Sequence, residues 1–185
     1  MTARRDPLWA IVLAGGEGVR LRPLVRLVCG DDRPKQFAPL LGGRSLLEAT
    51  LDRVARGIPD DRTVVVGVRH QARYWQGAGA SAGGHVLVQP ESRGTAAGIL
   101  YAAHWLWWRD PDATVAVFPS DHFVSDEPSF MDHVRVVAGA PDLMPDRLVL
   151  IGARPAWAET EYGWIQPGER LALGQANVAA VRGFR

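Results

Sequence analysis

The chain has one cysteine, Cys29, so no disulfide closes within it and its stability must come from a buried core. A single thiol fits a reducing compartment, and the expected location is cytoplasmic. There is no apolar run long enough to cross a bilayer. The opening MTARRDPLW carries charge without an apolar stretch behind it, because Gly15 and Gly16 break the next run, so neither a secretory leader nor a membrane partner is expected. Excess charge is also scarce. With 21 basic and 20 acidic residues the net charge is +1, which argues against bulk attraction to nucleic acid or anionic membrane and leaves anion binding to local sites. What remains is ordinary for one globular domain: 185 residues, 47% apolar and 22% charged, enough to bury a sizeable core.

The stretch from Trp9 to Phe37 organises the rest. A short apolar run, Trp9 to Ala14, has the pattern of a strand buried on both faces. Gly15, Gly16 and Gly18 follow, then Arg20, Arg22 and Pro23, and later Arg33-Pro34-Lys35. A strand entering a glycine-rich turn that carries cations suits phosphate. Glycine lets backbone N–H groups approach an anion closely, and cations add charge-assisted hydrogen bonds to the same oxygens. Two familiar phosphate motifs are incomplete here. No Gly-Lys-Ser/Thr closes the turn as in a P-loop. Val19, Arg20 and Leu21 stand where a dinucleotide fingerprint needs its third glycine, which disfavours a nicotinamide-dependent enzyme.

LAGGEGVRLRPL followed by RPKQF resembles the opening signature of the sugar-1-phosphate nucleotidyltransferases, most closely the mannose-1-phosphate guanylyltransferases. The matching positions are Gly15, Gly16, Gly18, Arg20, Leu21, Pro23, Leu24, Pro34, Lys35, Gln36 and Phe37. The loop between the two halves, Val25 to Arg33, is expected to move over a bound nucleotide. The resemblance implies that Leu13, Ala14, Gly15, Gly16 and Gly18 hold the nucleotide. It further implies that Arg20 and Lys35 neutralise charge on the triphosphate and the leaving pyrophosphate, with Arg22 as a further phosphate contact.

Further along, Ser45 to Ala55 reads as a capping box followed by an amphipathic helix, with Ser45 as N-cap and Glu48 three residues on. Thr63 to Val68, His85 to Val88 and Thr114 to Phe118 read as buried strands, and Leu148 to Gly152 as a fifth. The unit from Trp9 to Val68 therefore predicts a parallel crossover. Gly77 to Gly84 reads as a flexible turn. His70 reads as a solvated loop residue. A helix is expected from Thr95 to about Trp108 on a stripe of Ile99, Ala102, Ala103 and Leu106; of its three tryptophans, at least one should be partly exposed. Another is expected over Asp126 to Val137.

QPESRGTAAGI puts a strand end against a helix start, where free N–H groups and a positive dipole end coincide. Gln89 can pair with a base edge, and Gly94 leaves room for a flat ring against the backbone. The segment is similar to the one that reads the base in the nucleotidyltransferases, which implies nucleotide contacts from Gln89, Arg93, Gly94 and Thr95. Gln89 stands for the guanylyltransferases' Glu, Gly94 for their Asn and Ala97-Gly98 for Pro-Ala, in which respects the segment looks partly like thymidylyl- and uridylyltransferases. Pro119-Ser120-Asp121-His122 places a carboxylate just past a strand's C-terminal end. It resembles the family's metal motif, which implies Asp121 as the ligand of Mg²⁺, a cation held by one or two carboxylates plus phosphate oxygens. Glu159 to Ile165 resembles the family's Pro-Glu-Thr-Gly-Tyr-Gly-Tyr-Ile segment, implying that Thr160, Tyr162 and Gly163 lie beside the sugar, with Glu161 in place of the first glycine.

The implied fold is α/β, a doubly wound and mostly parallel sheet of the Rossmann-like, GT-A-like nucleotide-diphospho-sugar transferase kind. Residues 1–185 are expected to form the nucleotide-binding portion of the catalytic domain, stopping before the family's sugar-binding Glu-Lys-Pro segment and its second metal-binding aspartate. The implied reaction joins a nucleoside triphosphate, GTP by closest resemblance, to a sugar 1-phosphate such as mannose 1-phosphate. A non-catalytic nucleotide-binding module and a uridylyl- or thymidylyltransferase stay open, as does formation of a homo-oligomer.

Overall fold

A computed structural model describes residues 8–40, 42–75, 84–139, 147–160, 162–173 and 176–185. The glycine-rich stretch at 77–83 and Glu161 lie outside the described residues. The chain divides into two compact units, residues 1–132 and 133–185.

In the first unit, β1 (Leu8–Leu13), β2 (Thr63–Val68), β3 (His85–Gln89) and β4 (Thr114–Pro119) form one parallel sheet in the order β3-β2-β1-β4. β1 and β2 sit in the middle, and every residue of β2 is buried, as a continuous β-branched run demands. Alternation along β1 sends Trp9 and Ile11 to one face, where they pack with Val64, Val66 and, from α4 (Thr95–Arg109), Ala102 and Leu106. Ala10 and Val12 point to the other face and are equally buried. There α2 (Leu46–Ala55) touches β1, and α3 (Ala72–Trp75) touches β2.

The cap of α2 forms as its sequence dictates. Ser45 Oγ accepts from the Glu48 amide at 3.2 Å while a Glu48 carboxylate oxygen accepts from the Ser45 amide at 2.7 Å. In α4, Trp105 packs against the core cluster, whereas Trp107 and Trp108 are exposed. The expected mobile loop, Val25 to Arg33, instead begins inside α1 (Arg22–Cys29), started by Pro23 and ended by Gly30 at φ 74°. A proline in the first helical turn is a start signal, since its missing N–H is not needed there.

α5 (Glu127–Ala138) follows β4 and crosses the boundary between the units. The second unit contains an antiparallel pair, β5 (Ile165–Leu173) and β6 (Ala176–Phe184), with a register shift around Pro167. The apolar run Leu148 to Gly152 is not a strand: it has no ladder partner among the described residues, and Leu148, Leu150 and Ile151 are exposed. β-propensity supplies the capacity to pair but not the neighbour to pair with.

Candidate functional site

The strand order places β2 and then β3 on one side of β1, and β4 on the other. Between β1 and β4 the order reverses, and ligands of open parallel sheets bind at the carboxyl ends of the strands flanking such a point. Both strands end there in chemistry-bearing loops. The amide of Ser120 donates to Leu13 O at 3.2 Å, and that of Ala14 donates to Val66 O at 2.8 Å, so the loops leave the sheet at fixed points.

The loop after β1 is the glycine turn. Gly15 is close-packed: a Cβ there would lie 2.8 Å from Val68 Cγ2. Gly18 has φ 60°, and a Cβ on it would approach the Lys35 backbone nitrogen to 3.0 Å. The turn therefore folds directly onto Lys35. The ammonium of Lys35 sits 2.8 Å from Asp121 Oδ2, with both side chains roughly three-quarters buried, at 28% and 26% exposure. His122 Nε2 is 3.9 Å from the other Asp121 oxygen. From α2, the buried guanidinium of Arg53 donates to His122 O at 3.0 Å and reaches Glu127 at 3.4 Å, bracing the loop that carries Asp121.

Upstream of Lys35, Asp31 accepts from the Arg33 side chain through both oxygens at 2.8 Å, and Arg26 pairs with Asp32. The hydrogen-bonded Arg33 guanidinium holds the Asp31 carboxyl below its ordinary range. This fork is thus complete above about pH 4 and is lost as pH falls through the lowered carboxyl value.

The described site offers one well-placed carboxylate for a cation, and among the described residues no three acids, histidines or cysteines gather as a metal-holding group. Asp121 is the carboxylate that could hold a hard cation such as Mg²⁺ there, with phosphate oxygens completing the shell.

The sequence pattern of the family described as nucleotidyl transferase matches residues 9–182. The chain belongs to the nucleotidyl transferase family. It is 37% identical over 161 residues to the xanthan biosynthesis protein XanB of Xanthomonas campestris pv. campestris, covering 85% of this chain and 33% of that protein. It is 30% identical over 188 residues to a mannose-1-phosphate guanylyltransferase of Escherichia coli, covering 97% of this chain and 38% of that one. A crystal structure described as a mannose-1-phosphate geranyltransferase from Thermus thermophilus matches with TM-score 0.82 and 34% identity, over 96% of this chain and 49% of that one. The likeness shows the nucleotide-diphospho-sugar transferase fold. The chain spans about a third of the length of the curated relatives it matches.

In this nucleotidyl transferase chain the sequence-marked residues fall into four groups. Leu13, Ala14, Gly15, Gly16 and Gly18 lead from β1 through the turn to Lys35, and Asp121 joins them across the sheet edge. Gln89 arrives from the end of β3: its Oε1 lies 3.9 Å from where a Cβ on Gly15 would stand and 3.4 Å from one on Gly98. Gly94 caps α4 at φ 86° with open space beside it, and Thr95 is the helix's first residue. Arg20 and Arg93 are exposed, and Arg93 turns to Glu91, with its Nε 2.7 Å from that carboxylate. Tyr162 and Gly163 belong to the second unit, exposed just ahead of β5.

Several residues that hold the site were given no site role from the sequence. His70 is exposed as expected, yet its Nε2 is 2.8 Å from Glu17 in the glycine turn. Gln36, Gln71 and Arg53 also hold the site's loops. Gln36 is one of the matching motif positions, named there without a role. Nothing local marks the other two.

Proposed function

We propose that this chain is the nucleotide-binding part of a sugar-1-phosphate nucleotidyltransferase that joins GTP and mannose 1-phosphate into GDP-mannose and pyrophosphate in the cytoplasm. One observation carries this reading: Lys35 and Asp121 meet at 2.8 Å beside the glycine turn, at the point where the sheet order reverses. A cation and a carboxylate at one spot suit a metal–triphosphate, which presents both anionic oxygens and a divalent charge.

In the proposed reaction an oxygen of the sugar 1-phosphate bonds to the α-phosphorus as the bond to the bridging oxygen breaks and pyrophosphate leaves. The nucleophile is already anionic, so no strong base is needed and the protein's task is positioning and charge stabilisation. Asp121 would hold Mg²⁺, which when bound would supply positive charge to the triphosphate. The N–H groups from Gly15 to Gly18 hold phosphate oxygens, and Lys35 exchanges Asp121 for the β- and γ-phosphates. Arg20 adds charge at the rim of the site. Gln89, set between Gly15 and Gly98, meets the edge of the base, which lies in the open space beside Gly94.

The test is binding and pyrophosphate release by the whole chain with Mg²⁺, mannose 1-phosphate and each nucleoside triphosphate in turn. Saturable, Mg²⁺-dependent binding of GTP, with release that disappears in Asp121→Ala, is the expected result. Preference for UTP or dTTP would reassign the base. Binding without release would make this chain a nucleotide-binding module that needs a further segment. No Mg²⁺-dependent binding of any triphosphate would sink the proposal.

A further inference from the structure

The glycine turn is gripped from behind by two glutamines that belong to other parts of the chain. Gln36 is buried, and its amide donates to Ala14 O at 2.9 Å and to Gly16 O at 2.8 Å. Gln71, equally buried, donates to the same Gly16 O at 3.3 Å and to Glu17 Oε1 at 3.2 Å. In a trans peptide the carbonyl and the following N–H point in opposite directions, and no cis peptide is present among the described residues. Holding the Ala14 and Gly16 carbonyls from inside therefore turns the N–H groups of Gly15 and Glu17 outward, towards where phosphate would lie.

The second contact of Gln71 concerns charge. Glu17 stands between Gly16 and Gly18 in a turn otherwise suited to anions. A carboxylate there repels a triphosphate unless it is turned aside, and Gln71 and His70 take it, His70 Nε2 at 2.8 Å.

The acceptor end of Gln71 shows what this costs. Its Oε1 is buried and has no hydrogen-bond partner. A buried unpaired carbonyl is destabilising, and an apolar side chain of similar length would remove the penalty. A group with a stability cost that holds a binding turn in shape is explained by binding, not by folding.

Resting on the nucleotide-binding reading above, we infer that Gln71 is a positioning residue for the triphosphate: it aims the turn's N–H groups through Gly16 and restrains the Glu17 carboxylate.

The experiment compares GTP affinity, with Mg²⁺, and thermal midpoint for the whole chain, Gln71→Met, Glu17→Gln and the double variant. Gln71→Met should melt no lower than the parent yet bind GTP about tenfold more weakly, the effect of one misdirected hydrogen-bond set. In the Glu17→Gln background the same substitution should cost less, because no carboxylate is released towards the phosphates. Equal GTP affinity for the parent and Gln71→Met would overturn the inference while leaving the nucleotide site intact. A lower melting temperature for Gln71→Met would also overturn it, by making the amide a structural support. If the parent binds no triphosphate, the function and this inference fall together.

Discussion

Lys35 is the only lysine in the chain, against 20 arginines among the 21 basic residues. Arginine would bring a wide planar fork with five donors, whereas an ammonium is a compact point charge. The contact at Lys35 suits the latter: the ammonium meets a single Asp121 oxygen at 2.8 Å, not a bidentate pair. Lys35→Arg should therefore not restore what Lys35→Met loses, and both should weaken triphosphate binding at least about tenfold. Uniqueness also makes the residue directly observable. Reductive methylation with ¹³C keeps the charge and labels Lys35 together with the chain's α-amino group. Adding Mg²⁺ and GTP should shift the lysine signal as the amine leaves Asp121 for phosphate. A signal that stays in place while GTP binds would remove Lys35 from the phosphate site.

At the level of elements, the site depends on α2 as much as on the strands that bear its chemistry. Arg53, 3% exposed, crosses from α2 to His122 O and Glu127, with its guanidinium 5.9 Å from the Phe130 ring centre. Arg53→Met would leave His122 O without this donor beneath the Asp121 loop, and should cost roughly 3 kcal/mol in urea unfolding. Ser45→Ala, which removes only the cap of the same helix, should cost about 1 kcal/mol. The two changes test different kinds of legibility. The cap could be read directly, because a capping box is completed within four residues. The brace could not, because Arg53 and His122 stand 69 positions apart and no period joins them. Gln71 and Glu17, 54 apart, escaped notice for the same reason. α1 was missed on different grounds: Val25 to Arg33 reads as a loop, although Pro23 just ahead of it occupies the first turn of a helix. The run from Leu148 to Gly152 shows the converse error, a strand composition that finds no ladder partner among the described residues.

For the molecule as a whole, the four parallel strands were legible as apolar runs, and their common edge gathered the glycine turn, Gln89 and Asp121 as a parallel sheet should. The division into two units has its own consequence for stability. A ligand that binds only the folded form stabilises it by about 2.7 kcal/mol at a hundred times its dissociation constant. Amide exchange then slows where that ligand ties down local opening. The glycine turn, Lys35, the end of β2 with His70 and Gln71, and Asp121 all lie in the first unit, whereas β5 and β6 lie in the second. Hydrogen exchange with GTP and Mg²⁺ present should therefore slow at residues 13–18, 34–37, 66–71 and 119–123 and leave 165–184 unchanged. Protection confined to α4, with its exposed tryptophans, would point to binding by stacking on that surface and would remove the glycine turn from the phosphate site.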